Sequence, residues 1–308
     1  MSPSELIAAV ARRAGSWSHE RAAQGILDTP PIIGADDGVI LFSMIGTAVL
    51  LPYLVAAKSL HHHLRRGRIV LLNDGTLTAQ DRAVLAQHCD NPVILENSDI
   101  NPAPCPKGNC WERLTAILER RDKAFVIQLD SDTVTTGPVP EVIAAIEANR
   151  SFTLAGGHDE AEHGFKSGRD IAAIFHANGP TTAHVQAQAE AALATLDNAD
   201  ETRYIRGCAG FAGFARSDGG RGLVSGFSQA MDKRLGSTWR QWGSEQVASN
   251  FVIANDPDPL QLPYHRYVNH WEEPLPEAPA FVHFIGTYRF ARGNYKRCTA
   301  EAIAALGR

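Results

Sequence analysis

Strand-like apolar runs alternate with amphipathic helical segments over residues 38–129, which predicts an α/β protein with an open, mostly parallel central sheet. Two further observations support that class. The run "AFVIQL" is apolar on both faces, as an interior parallel strand must be. Two carboxylates, Asp130 and Asp132, follow it at once, and open α/β sheets bind ligands beyond the carboxyl ends of their strands.

The elements follow in order. Residues 1–37 predict a helical N-terminal extension and a Pro-rich link, "DTPPIIGADDG", with residues 38–308 as one α/β domain. "GVILFSMI" is the first strand and "LPYLVAAKSLHHHLRRG" its helix. "RIVLLNDG" is the second strand, and the next helix, "TAQDRAVLAQHC", opens on a cap at Thr78. "PVILEN" is a short strand. "NCWERLTAILERRDK" is a helix with Trp111, Leu114, Ile117 and Leu118 on one face. The fourth strand, "AFVIQL", is expected to be central and parallel. Residues 156–206 are more polar and less periodic, with an exposed helix expected over "HVQAQAEAALATL". "GCAGFAGFA" reads as a strand, "SEQVASNFVIA" as a helix and "AFVHFIG" as a strand.

Composition narrows the function. A chain of 308 residues, 44% hydrophobic, can bury a large core. The formal net charge of -5 and the mixing of both signs leave no basic stripe, which argues against nucleic acid as a partner. The longest apolar run, "GVILFSMIGTAVLLPYLVAA", is interrupted by Ser43, Gly46, Thr47 and Pro52 and reads as strand, turn and helix, not as a membrane span. The N-terminal stretch lacks a signal-peptide pattern. Five cysteines with no C-x-x-C pair fit a reducing, cytoplasmic setting.

The aspartate pair has three readings. Asp and Ser are common turn residues, so the first is a plain turn. The second is a phosphatase of the haloacid dehalogenase type, since "DSDTV" fits D-x-D-x-[TV]; the first Asp would attack phosphorus. That chemistry needs a later acidic pair at a strand end, and the chain offers only "DNAD", Asp197 to Asp200, in a polar stretch. The third is a divalent cation held between two carboxylates that would otherwise repel, neutralising a nucleotide diphosphate. It requires a distant ligand and phosphate-binding cations, and "FVHFIGTYRF" supplies His283, Gly286 and Arg289.

"CPKGNCWERLTAILERRDKAFVIQLDSDTV" together with the C-terminal His-Phe-x-Gly resembles the glycogenin-type glycosyltransferases, glycosyltransferase family eight, over roughly residues 38–290. The resemblance implies a single GT-A domain, Rossmann-like, binding a UDP-sugar with Mn²⁺ (or Mg²⁺) and transferring a hexose with retention. By position it implies Asp130, Asp132 and His283 as metal ligands. Lys107 would contact the donor, Arg289 would stand in for a phosphate-binding lysine, and Ser43, Met44 and Ile45 would line the nucleotide beside Gly286. Asp159 would lie near the donor sugar, and Glu245 and Gln246, in "GSEQ", nearest the reacting carbon. The sequence departs from the family at Cys208-Ala209-Gly210, which stands for Asn-Ser-Gly, and at Glu245, which stands for Asp. The acceptor is left open among carbohydrate, lipid and protein, and a nucleotide-sugar binder without turnover is the rival from another class.

Other features carry less. His61 to His63 point in different directions on a helix and form a solvated end. "GGHDEAEHG" lacks the spacing of a helical zinc motif and reads as an acceptor-side loop. Cys105 and Cys110 are expected to be reduced. Trp239 and Trp242 suit an acceptor-sugar platform and core packing equally. "GGRGLVSG" lacks the dinucleotide spacing.

Overall fold

The computed structural model describes residues 3–307. Helix α1 (Pro3–Ala23) leads through an extended link into β1 (Val39–Ile45), α2 (Leu50–Leu64), β2 (Arg68–Asn73), α3 (Ala79–His88) and β3 (Val93–Glu96). Helix α4 (Trp111–Arg120), β4 (Phe125–Leu129), β5 (Thr133–Thr135), α5 (Pro140–Glu147) and β6 (Phe152–Ala155) follow. An insert comprises α6 (His158–His163), β7 (Lys166–Ser167), α7 (Gly168–His176), α8 (Val185–Ala192) and β8 (Arg203–Tyr204). The chain closes with β9 (Gly207–Phe214), α9 (Gly220–Leu235), α10 (Ser244–Asn255), β10 (Leu260–Gln261), β11 (Tyr267–Asn269), β12 (Phe281–His283) and α11 (Asn294–Leu306).

Seven strands form the central sheet in the order β10-β6-β9-β4-β1-β2-β3. Alternate residues of β1 enter two different cores: Leu41 and Ile45 join one, Ile40 and Phe42 the other. That is why the strand is apolar without interruption. The helices on each face follow from capping and periodicity. Thr78 accepts from Asp81 N–H, and the Asp81 carboxylate accepts from Thr78 N–H, closing a capping box at α3.

One expectation needs correction. β4 pairs parallel with β1 but antiparallel with β9, so parallel neighbours lie on one side only. An apolar strand is buried on both faces whichever way its neighbour runs, so composition could not reveal the direction of β9. The polar stretch 156–206 is also better ordered than its pattern suggests. "HDEAEH" is helix α6 and not a loop, and α8 buries Val185, Ala187, Ala189 and Glu190 instead of lying exposed.

A small second sheet, β11-β12-β5, sits at the carboxyl end of β4. β5 is the continuation of the aspartate turn, and β12 pairs with it antiparallel, placing His283 opposite Thr133. The extension is tied to the domain at two places in its middle. His19 stacks on Tyr295 of α11 at 3.6 Å, and the buried Lys58 ammonium donates to the carbonyls of Ile26 and Thr29. No helix among the described residues is long and apolar enough to cross a membrane.

Candidate functional site

β4 ends at Leu129, and Asp130, Ser131 and Asp132 turn the chain into β5. Asp130 N–H donates to the Gly210 carbonyl at 2.9 Å, and Thr133 Oγ1 closes the turn on the Asp130 carbonyl at 2.9 Å. The β5–β12 register then carries His283 to the same place from 150 residues further along, with Nε2 at 3.3 Å from Asp132 Oδ1. One ligand atom each from Asp130, Asp132 and His283 lie within 4.8 Å of one another.

The ring of His283 is oriented from behind. Asn269 Nδ2 donates to the carbonyls of Ala155 and Gly156 at 2.8 and 2.9 Å, which fixes its amide with Oδ1 toward His283 Nδ1 at 2.9 Å. Nδ1 must therefore carry a proton, leaving Nε2 as the atom aimed at the aspartates. Gly210 lies beneath the ring so closely that a Cβ there would run into it. Two carboxylate oxygens and an imidazole nitrogen held in this way fit a divalent cation such as Mn²⁺ or Mg²⁺.

Two arginines complete the electrostatics. Arg289 pairs with Asp132 and anchors its own Nε on the Phe284 carbonyl at 3.1 Å. Arg113, on α4, forks between Asp130 at 2.6 Å and Glu245 at 3.0 Å. Burial disfavours the ionised Asp132, but His283 and Arg289 outweigh it and hold its carboxyl below the usual range. Burial likewise opposes charge on His283, yet the neighbouring Cys208 and Asp132 raise its pKa well above that of a free imidazole. At Glu245 burial wins over the pull of Arg113, and the pKa rises. Arg113 Nε and Glu245 Oε1 are buried without a hydrogen-bond partner. Polar atoms of that kind are costly unless something else satisfies them.

The remaining residues singled out in the sequence are scattered more unevenly. Gln246, next to Glu245 at the start of α10, accepts from Ala209 N–H at 3.2 Å. Gly286 takes a positive φ of 39° at the turn that brings Arg289 back to Asp132. Lys107 is exposed in the loop before α4, a loop pinned where Gly108 N–H donates to Glu112 at 2.9 Å. Ser43 Oγ donates to the Leu129 carbonyl at 2.7 Å and Ile45 is buried in the core, so of that trio only Met44 offers a partly exposed side chain. Asp159, on α6, is almost fully exposed and lines a cavity of about 590 Å³ with Tyr264, Asn269, His270 and Trp271. It makes no contact with the three clustered ligands.

Cys208 turns its Sγ toward His283 Nδ1 at 3.4 Å. Trp239 is a core residue, its indole N–H on Ser228, whereas Trp242 is 70% exposed beside His184. Asp200, from the acidic pair that phosphatase chemistry would need, is spent in an exposed pair with Arg169. All five cysteines are unpaired.

Sequence reasoning missed Arg113 and Asn269. Arg113 had a signal: it lies one turn before Ile117, a charge on the apolar face of an amphipathic helix, where it needs a buried partner. Asn269 had little, because its role depends on two carbonyls more than a hundred residues earlier in the chain.

No family model and no curated protein matches the chain. Solved structures do. It superposes on the bifunctional glycosyltransferase WbbM in its apo form with a TM-score of 0.52 at 14% identity, covering 89% of this chain and 51% of that one. It superposes on an active-site mutant of LgtC, also with a TM-score of 0.52 at 14% identity, covering 86% of this chain and 95% of that one. The chain thus spans about half the length of WbbM and nearly all of LgtC. Its mixed α/β architecture with a mostly parallel seven-stranded sheet is the GT-A fold of glycosyltransferases.

Proposed function

We propose that this chain is a metal-dependent glycosyltransferase that moves a hexose from a UDP-sugar to an acceptor with retention of configuration. The observation that carries the reading is the convergence of Asp130, Asp132 and His283 at the carboxyl end of β4, with Arg289 beside them. Mn²⁺, or Mg²⁺, bound there would act as a Lewis acid on the donor diphosphate.

The chain's own residues divide the remaining work. Arg289, beside Asp132, would meet the phosphate that leaves, and Lys107 would reach it from the α4 loop. Arg113 holds Asp130 and Glu245 through one shared guanidinium. Glu245 and Gln246 face the reacting carbon, where charge develops in an oxocarbenium-like state. Asp159 serves the sugar side from the cavity beside Trp271. The transferase unit spans residues 38–308, with residues 1–37 as its helical brace, and unpaired cysteines support a reducing cytoplasm.

Release of UDP from UDP-glucose and UDP-galactose, followed with Mn²⁺ and with chelator, tests the reading. Metal-dependent release is expected. No release above buffer with either donor, despite metal-dependent UDP binding, would make the chain a binding protein.

A further inference from the structure

The partners of Gln246 lead away from the metal ligands into the α7–α8 insert. Pairing between β6 and β9 is irregular there: Thr153 faces Ala212, but the next residue, Leu154, faces Cys208. Ala209, Gly210 and Phe211 are thereby left without partners on β6. The Ala209 N–H must find another acceptor, and it donates to Gln246 Oε1 at 3.2 Å. Gln246 Nε2 donates to Gln186 Oε1 at 3.1 Å, and Gln186 Nε2 donates to Glu190 Oε1 at 2.9 Å. The Glu190 side chain is fully buried and also meets Tyr204 Oη at 3.2 Å, His176 Nε2 at 3.0 Å and Arg206 Nε at 3.4 Å.

Both ends of this series set its direction. A backbone N–H can only donate, so the oxygen of Gln246 must face Ala209. The Glu190 carboxylate accepts, so the nitrogen of Gln186 must face it. Two amides in line satisfy both ends in one orientation, the one observed. We infer that Gln186 and Glu190 are positioning residues, a directional amide relay that locks the rotamer and polarity of Gln246 and leaves its second amide proton as the group it presents. The consequence for sugar transfer rests on the transferase reading above; the relay itself does not.

A melting-temperature cycle tests the direction. Gln246→Glu sets an acceptor against Gln186 Oε1, so Gln186 must turn over and point its oxygen at Glu190. Glu190→Gln supplies a donor at that point. Residues 190 and 246 share no hydrogen bond, so coupling carried by hydrogen bonds must pass through Gln186. The double variant is expected to lose less Tm than the two single losses added together, by roughly 2 °C or more, and Gln186→Leu should abolish that coupling. Additive losses, or coupling that survives Gln186→Leu, would overturn the relay. Should Gln246→Glu not fold, the side-chain amide resonance of Gln246 decides: Gln186→Leu should shift and broaden it, and an unmoved resonance overturns the assignment. With an active donor, Gln186→Leu should lower kcat about 10- to 100-fold while KM stays within about threefold. An unchanged kcat would remove the positioning role. A wild-type chain that cleaves no nucleotide sugar would instead overturn the transferase reading, with the melting cycle still deciding the relay.

Discussion

Asp132 and Glu245 lie on the two sides of the Asp130–Arg113 pair, both buried, and their surroundings drive their proton affinities apart. Asp132 has two cationic neighbours, His283 and Arg289, which hold its pKa down against burial. Glu245 has half of one arginine, Arg113, shared with Asp130, and burial pushes its pKa up. The Asp132 side is therefore held anionic, as a cation site would need, while burial limits the charge of Glu245. Separation of this kind between two titratable groups is how a site assigns different roles to chemically similar side chains.

Arg113 links Asp130 to Glu245, and its loss should have the largest effect. Arg113→Met would leave Asp130 and Glu245 without their shared counter-charge. Removing one member of a buried ion pair costs about 3–5 kcal/mol, and a loss near that size is expected in denaturant titration. Adding Glu245→Gln should recover part of it; a loss below about 1 kcal/mol would show that the two carboxylates are not held by this residue.

The Asp132 side is broken directly by Asp132→Asn. Turnover should fall by ~10² or more, with the metal dependence of UDP binding weakened, because a charge-stabilising group is gone. Full metal-dependent UDP release by this variant would place the cation elsewhere. Asn269→Leu is gentler. It keeps the bulk behind His283 but removes the acceptor that fixes its Nδ1 proton, and Mn²⁺ affinity should drop about 10- to 100-fold, read by calorimetry. Unchanged affinity would show that His283 needs no such support.

The smallest effect is in pH. The raised pKa of His283 means that its Nε2 carries a proton in the metal-free protein at pH values where a free imidazole has lost it. A cation must displace that proton, so Mn²⁺ affinity should rise with pH, by up to about tenfold per unit, until His283 is deprotonated. A flat profile between pH 6 and 8 would deny His283 its place as a ligand.

The two sides of this site were unequally legible in the sequence. The elements of residues 39–129 were readable because unbroken apolar runs mark β1 and β4, α4 carries a helical period, and α3 even carries its capping pair, Thr78 and Asp81. Helix α9 was not, since Gly219, Gly220 and Gly222 suggest a loop. Its buried Val224, Phe227 and Met231 nonetheless keep the helical spacing. The direction of β9 could not be read because direction leaves no mark on composition. At the site, Asp130, Asp132 and His283 were legible as residue types that a cation requires, brought together by the β5–β12 register. Arg113 left a mark only as a charge on an apolar helix face, and Asn269 and the Gln186–Glu190 relay were hidden, because their partners lie in segments that only the folded chain brings into reach.

The central claim is that Asp130, Asp132 and His283 hold a divalent cation against a nucleotide diphosphate. Calorimetric titration of UDP into the wild-type chain, with Mn²⁺ and then with excess chelator, tests it most directly. UDP should bind at least about tenfold tighter with Mn²⁺, the factor expected from about 1.4 kcal/mol of coupling between metal and nucleotide. Equal affinity in the two titrations would contradict the account.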